Sequence, residues 1–461
     1  MTQKETYFKN ILAAIGSTPL VKLNKVVPKN SATVLVKCEY MNPTGSVKDR
    51  MAFHIVNEAE KLGLLKPGGT IVENTSGNTG LGLAMTAAVK GYRCIFTMPD
   101  KMSTEKVNML KSFGAEVVIT PTDVPGDSPQ HYVETAKRIA KETPNSFYVN
   151  QYHNKANIEA HEISTGAEIW QETGGAFDAF VTGAGTGGTL SGVGRYIKKH
   201  TDKIKIIGVD PIGSVHYDYF HTQKMVEPHV YKVEGIGEDI LCDAMDFSVV
   251  DEFYQVNDAQ CFSMARKLVR EEGLFCGGSS GGNVHIAIEI AQKLGPGKTV
   301  ITVLPDSATR YISKYLSDSW MIDNGFLSRS VGLGTAGDIL KFKKQEVICT
   351  EVGQPVANAI ELMKTSGISI LPVVDDKNIP VGIIHEIDIL RALTTKKIGA
   401  GTFVDDVMHK PQGLISLYAE VDDLYKIFEK DHAAIVVDQG KLKGIIREID
   451  VIEFISKNND K

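Results

Sequence analysis

The 461-residue chain predicts an α/β protein carrying a smaller α+β module at its C-terminal end. Two observations carry this. From residue 11 to about 320, short β-branched runs alternate with longer helix-compatible ones, as in a parallel sheet with helices on its faces. Further on the chain repeats itself: "GIIHEIDIL" (Gly382 to Leu390) returns as "GIIREIDVI" (Gly444 to Ile452), behind the apolar runs "ILPVVDD" and "AAIVVDQ". One such unit is too short to bury its own apolar face, so a tandem pair is expected.

Composition narrows the class. A 43% hydrophobic, 23% charged chain of this length makes two or three globular domains. A net charge of −6 favours neither nucleic acid nor an anionic membrane. No apolar run approaches the roughly 20 residues of a membrane span, and "MTQKETYFKN" has no apolar signal core. Six scattered cysteines without CxxC spacing speak against a zinc knuckle or a disulfide framework and for a reducing cytoplasm.

Taken in order, "TIVENTSGNTG" leads into "LGLAMTAAVKGY" and "RCIFTMPD" into "STEKVNMLKSFG". The runs "EVVIT", "DAFVTGAG", "IKIIGVD" and "KTVITVLPD" each read as a buried strand ending in a polar loop, where ligands are expected. "DNGFLSRSVGLGTAGD" breaks the hydrophobic order. The expected division is a core over 1–328, a linker over 329–341 and repeat copies over 342–398 and 399–461.

Three glycine-rich loops and one lysine carry the chemistry. "VTGAGTGG" holds Gly183-x-Gly185-x-x-Gly188 between a strand and a helix, with Asp210 ending the next strand. Alone, that pattern fits a nicotinamide enzyme, any phosphate at a helix N-terminus, or a tight turn. "TSGNTG" (Thr75 to Gly80) offers hydroxyls, an amide and bare N–H groups suited to a carboxylate, or simply a capped helix start. "CGGSSGGN" (Cys276 to Asn283) also opens a helix, where Ser279 could be an ordinary N-cap. In "NPTGSVKDR", Lys48 stands at the mouth of a helix, whose dipole repels a free ammonium. Small loops at strand ends plus one lysine suit a compact phosphate ester bearing an aldehyde, and pyridoxal phosphate is such a molecule.

These residues resemble the β-family, fold-type II pyridoxal phosphate enzymes, and within them the cystathionine β-synthase branch. "IGSTPLVKLN", "NPTGSVKDR", "TSGNTG", "AGTGGT", "EGIGED" and "GLFCGGSSGGN" carry the likeness in order and spacing. "YISKYLSDSWMIDNGFL" is similar to the end of that branch's catalytic core, and the paired repeat to its Bateman module of two CBS motifs. The resemblance implies a catalytic core of two α/β subdomains and a homodimer. It implies no haem, since no Cys or His precedes Ile11.

The resemblance makes Lys48 the Schiff-base lysine and brings the Asn78 amide to the cofactor's ring oxygen. Gly185, Thr186, Gly187, Gly188 and Thr189 would hold the phosphate and Ser279 would face the pyridine nitrogen. Thr75, Ser76, Thr79 and Gln151 would bind the amino-acid carboxylate, with Tyr152 either lining the pocket or buried in the core. A neutral serine hydroxyl leaves the pyridine nitrogen unprotonated, which suits β-elimination better than transamination. The implied reaction condenses L-serine with L-homocysteine to cystathionine and water, Lys48 moving the α-proton and helping the hydroxyl depart. Glu238 is the weaker candidate for that second task. Cys276, among glycines and with no His nearby in sequence, reads as structural. The rival in the same family makes cysteine from O-acetylserine and sulfide, or releases hydrogen sulfide from cysteine. A nicotinamide dehydrogenase or a catalytically dead sensor fits the lysine and the three loops less well.

CBS repeats of this kind bind adenosine ligands through an aspartate on the ribose, the place of Asp388 and Asp450. Three residues earlier, where Thr or Ser is usual, this chain has His385 and Arg447. That departure leaves three readings open: S-adenosylmethionine, AMP or ATP met by Arg447, or a module that only dimerises.

Overall fold

Strand and helix alternate through the first three hundred residues because apolar runs too short for a helix are each followed by an amphipathic one. In the computed structural model this yields two parallel-stranded layers. Residues 7–458 are described, apart from 76, 328–333, 345, 346, 396–398, 400, 412 and 430. The chain divides into two compact units, Met1–Met321 and Ile322–Lys461.

The first unit contains two sheets. One is four-stranded and fully parallel, in the order Glu116–Thr120, Arg93–Pro99, Thr70–Asn74, Ser146–Tyr148. The other is six-stranded, in the order Leu20–Lys22, Thr33–Lys37, Thr299–Val303, Ala179–Gly183, Lys205–Pro211, Glu252–Val256; only its first pair is antiparallel. Thr70–Asn74 is buried at all five positions, so both faces of the strand are covered, the polar Glu73 and Asn74 included. Separate apolar clusters serve the two sheets. Met51, Ile55, Leu83 and Phe96 belong to one, and Phe180, Leu190, Val193 and Ile301 to the other. The three loops singled out above follow Thr70–Asn74 and Ala179–Gly183 or open the helix Gly278–Leu294.

In the second unit each repeat forms a three-stranded sheet of the same plan. Thr350–Glu351 lies parallel to Ile370–Val374, which pairs antiparallel with Pro380–His385; Leu414–Ser416, Ala433–Asp438 and Lys441–Arg447 do the same. Both hairpins have a register irregularity, between Val373 and Val374 and between Val436 and Val437. Matching local defects in matching places show the repeat is structural as well as textual. Ile370, Val374 and Ile383 pack with Ala433, Ile435 and Leu442, so the copies share a core. Of the expected linker, residues 329–333 lie outside the described residues. The helix Ala336–Lys343 covers much of the rest, and its Ala336 and Ile339 are buried against Ile415, Val436 and Val451 of the second copy.

Candidate active site

Lys48 is the first residue of the helix Lys48–Lys61, and its neighbours hold it in place. Val47 N–H donates to Pro305 O at 2.8 Å, and Ser46 bridges to Asp306. Buried Asp49 accepts from Thr44 N–H at 2.7 Å, while the Arg310 guanidinium donates to the Thr44 and Gly45 carbonyls at 2.6 and 3.1 Å. Arg50, also buried, pairs with Glu39 and Glu168, each at 2.7 Å. Breaking one partner of such a buried pair costs about 3–5 kcal/mol. Lys48 is therefore rooted between a backbone-anchored Val47 and two anchored side chains, Asp49 and Arg50.

Burial pushes the Lys48 amine below the usual lysine range, against the pull of the Glu238 and Asp306 carboxylates. A desolvated amine is the form that condenses with an aldehyde and accepts protons.

Lys48 shares a cavity with Asn78, Gly183, Gly185, Thr186, Gly187, Gly188, Thr189, Gly235, Ser279 and Asp306. The helix Gly188–His200 starts there behind Gly187, whose φ of +91° excludes most side chains and which makes no side-chain cap, leaving the first-turn N–H groups for an anion. A Cβ on Gly188 would stand 2.0 Å from Asn157 Oδ1, so only glycine lets the turn approach. A second layer fixes the threonines. Asn157 Nδ2 donates to Thr186 Oγ1 at 3.0 Å, and buried His161, kept neutral by desolvation, lies 3.3 Å from Thr189 Oγ1. Asp210, the acidic residue expected of a dinucleotide site, is instead fully buried and accepts from Tyr217 N–H at 2.9 Å.

The "TSGNTG" loop opens the helix Asn78–Lys90 with Gly77 at its cap and no capping side chain, so the plain cap is not what forms. Thr75, Asn78, Thr79, Gln151 and Tyr152 line a second chamber that shares Lys48, Asn78, Gly185, Thr186 and Gly235 with the first. Tyr152 thus lies on the pocket wall. Thr79 Oγ1 donates to Gln151 Oε1 at 2.7 Å. Ser76 lies outside the described residues. Ser279 is the second residue of Gly278–Leu294, whose cap position is Gly277, so it does not cap the helix.

Two residues play parts that sequence reasoning underrated or missed. Asp306, at the end of "ITVLPD", accepts from Asn78 Nδ2 at 2.9 Å and from the Tyr311 hydroxyl at 2.7 Å, and burial raises its pKa. Glu238 is not a solvated loop carboxylate. It is half-buried on the substrate chamber wall, and desolvation pushes it up to about 7, against His216 and Lys48. Their only signal was position: one follows a strand and the other sits in "EGIGED". Cys276 is fully buried, its thiol pushed up to about 12 by burial, which fits a structural residue.

Do these residues fit pyridoxal phosphate? Asn78 Oδ1 is a buried acceptor without a hydrogen-bond partner in the described structure. It stands at a cavity holding one amine, one helix start bare of side-chain caps and one serine hydroxyl. An aldehyde, a phosphate and a polar ring answer each of these, so the residues fit.

At the second copy, Asp450 Oδ2 accepts from Arg447 N–H and from Lys343 Nζ, each at 2.8 Å, and in the first copy Asp388 Oδ2 accepts from His385 N–H at 3.1 Å. Both aspartates therefore hold helix starts. Lys343 and Arg447 line a small cleft with Leu340, Ile370, Gly444 and Ile445.

The family model described as "Pyridoxal-phosphate dependent enzyme" matches residues 11–306, and that described as "CBS domain" matches 331–395 and 404–457. Among curated proteins, "Cystathionine beta-synthase" of Mus musculus is 40% identical over 95% of this chain and 79% of its own length. The protein of that name from Dictyostelium discoideum is 36% identical over 99% of this chain and 94% of its own. "Cysteine synthase" of Staphylococcus aureus is 44% identical, but over 66% of this chain.

Proposed function

The chain belongs to the cystathionine beta-synthase family of pyridoxal-phosphate dependent enzymes, and from that premise we propose that it joins L-serine to L-homocysteine by β-replacement. The observation that carries this reading is the meeting of Lys48, the uncapped start at Gly188 and the Thr79–Gln151 pair on two joined chambers. When bound, pyridoxal phosphate supplies an electron sink next to the substrate's α-carbon, which acidifies the α-proton and labilises the β-substituent.

The chain's residues do the rest. Lys48 is the residue that would hold the cofactor's aldehyde group, and its free amine would take the α-proton and later return one. Its depressed basicity raises the share of free amine above that of an exposed lysine. Gly185 to Thr189 hold the phosphate, with N–H groups at the helix start and hydroxyls fixed by Asn157 and His161. Thr75, Thr79 and Gln151, with Ser76, bind the substrate carboxylate, and Tyr152 borders it. Ser279 meets the ring nitrogen with a neutral hydroxyl. Glu238, poised near pH 7, is placed to hand a proton to the departing hydroxyl, and Asp306 holds the Asn78 amide.

Product analysis tests this. Serine plus homocysteine should give cystathionine faster than O-acetylserine plus sulfide gives cysteine. The reverse order would favour a cysteine synthase with an added CBS module, a reading supported by the 44% identity over the catalytic part. We read the protein as a cytoplasmic homodimer without haem, able to release hydrogen sulfide from cysteine. Among the described residues no helix is long and apolar enough to cross a membrane.

For the module, the cations Lys343 and Arg447 at the cleft edge favour an adenosine ligand carrying phosphate over S-adenosylmethionine. Asp450 would meet the ribose there, with Asp388 as its counterpart in the first copy. Calorimetry with AMP, ATP and S-adenosylmethionine separates these; heat with none leaves a structural module.

A further inference from the structure

We propose that His385, Asp388 and His409 form a binding site for a borderline divalent transition metal, Zn²⁺ being the natural probe, in the first CBS copy. Among the described residues, these three bring one ligand atom each to within 4.8 Å of one another. The sequence flagged His385 only as a departure from the usual Thr or Ser, and nothing in the proposed catalysis or adenosine binding uses it.

The geometry is close to what such an ion needs. His409 Nε2 lies 3.3 Å from Asp388 Oδ2. Two ligands on a tetrahedral ion with bonds of about 2.0–2.1 Å stand about 3.4 Å apart, so this pair already spans one edge. The His385 and His409 rings are stacked, 5.2 Å between centroids and 12° between planes, and both flank Asp388. Two imidazoles and one carboxylate select Zn²⁺, Ni²⁺ or Co²⁺ over Mg²⁺ or Ca²⁺, which take oxygen ligands.

All three ligands are anchored. His409 is held by a two-way backbone bridge to Ile383, at 3.0 and 3.1 Å, and its Nδ1 lies 3.3 Å from Lys410 O. That carbonyl accepts the Nδ1 proton and leaves the Nε2 lone pair facing Asp388. Asp388 is fixed by its bond from His385 N–H. His385 Nε2 lies 3.3 Å from Oδ1 of buried Asp431, a residue of the second copy, which orients the ring from the far side. Three well-held donors on a half-buried surface leave a fourth position for water or a ligand from outside. Because Asp388 is used, metal and a ribose exclude each other at this copy, so failure here leaves the adenosine reading of the second copy untouched.

The experiment uses the full-length holoenzyme, stripped with chelator and dialysed at neutral pH. Zinc chloride is titrated calorimetrically into wild type, His409→Gln and His385→Gln. The expected result is one tight site per chain in wild type, weakened roughly 10–100-fold or more in each variant, with serine-plus-homocysteine turnover unchanged before zinc is added. His409 is about two-fifths exposed, so His409→Gln tests the site without disturbing the fold. Absence of a stoichiometric site in wild type, or wild-type affinity in both variants, overturns the proposal.

Discussion

Thr79 and Gln151 lie 72 positions apart in sequence, yet the Thr79 hydroxyl donates to Gln151 Oε1 at 2.7 Å at the back of the substrate chamber. The bond orients the Gln151 amide so that its N–H₂ is free to donate. A hydrogen bond to a charged partner contributes about 1.5–3 kcal/mol, roughly 10–100-fold in binding. Thr79→Ala and Gln151→Ala should each raise KM for L-serine by about that factor, and the double variant should cost less than the sum. Steady-state kinetics on the four proteins checks it; fully additive losses would mean the two side chains act apart.

Lys48→Ala should reduce turnover by roughly 10³-fold or more while the fold persists, because among the described residues no other lysine lines the inner cavity. Added methylamine should restore part of the rate. Turnover within ten-fold of wild type would place the base elsewhere.

Burial pushes the Glu238 carboxyl up to about 7, so its proton is available below that pH and lost above it. A donor of this kind predicts a kcat that falls as pH rises through about 7. Glu238→Gln should lower kcat by roughly 10²-fold and flatten that limb. Retention of the limb in the variant would assign the proton to another group.

Glu73 makes the same arithmetic a matter of stability. Desolvation raises its carboxyl from 4.5 to about 8, and it is fully buried on the strand beneath the substrate loop. The folded state therefore keeps a proton that the unfolded chain gives up, and the stability this adds below pH 4.5 is lost as pH rises through about 8. Glu73→Gln should leave the melting temperature at pH 5 nearly unchanged and raise it at pH 8 by a few degrees, about 2–4 °C for each kcal/mol recovered. A parallel shift at both pH values would show that Glu73 does not titrate in this range.

What could be read in advance was what a single segment encodes. Thr70–Asn74 and Ala179–Gly183 announce themselves as buried strands, and the loops after them carry their own backbone chemistry. The tandem repeat was legible because its copies need the same apolar positions. Asp306 was not, since it matters only when Asn78, 228 residues away, swings its amide against it. Glu238 looked like any loop carboxylate until neighbouring elements of the fold removed its water. Asp388 and Asp450 were read for a ligand, while their carboxylates also hold the starts of their own helices. His409, 24 positions after His385, had no local pattern at all.

The most direct test of the account is borohydride reduction of the purified protein, then peptide mapping by mass spectrometry. The account predicts a pyridoxyl phosphate label on the peptide containing Lys48 and on no other lysine. A label elsewhere, or none after incubation with pyridoxal phosphate, would contradict it.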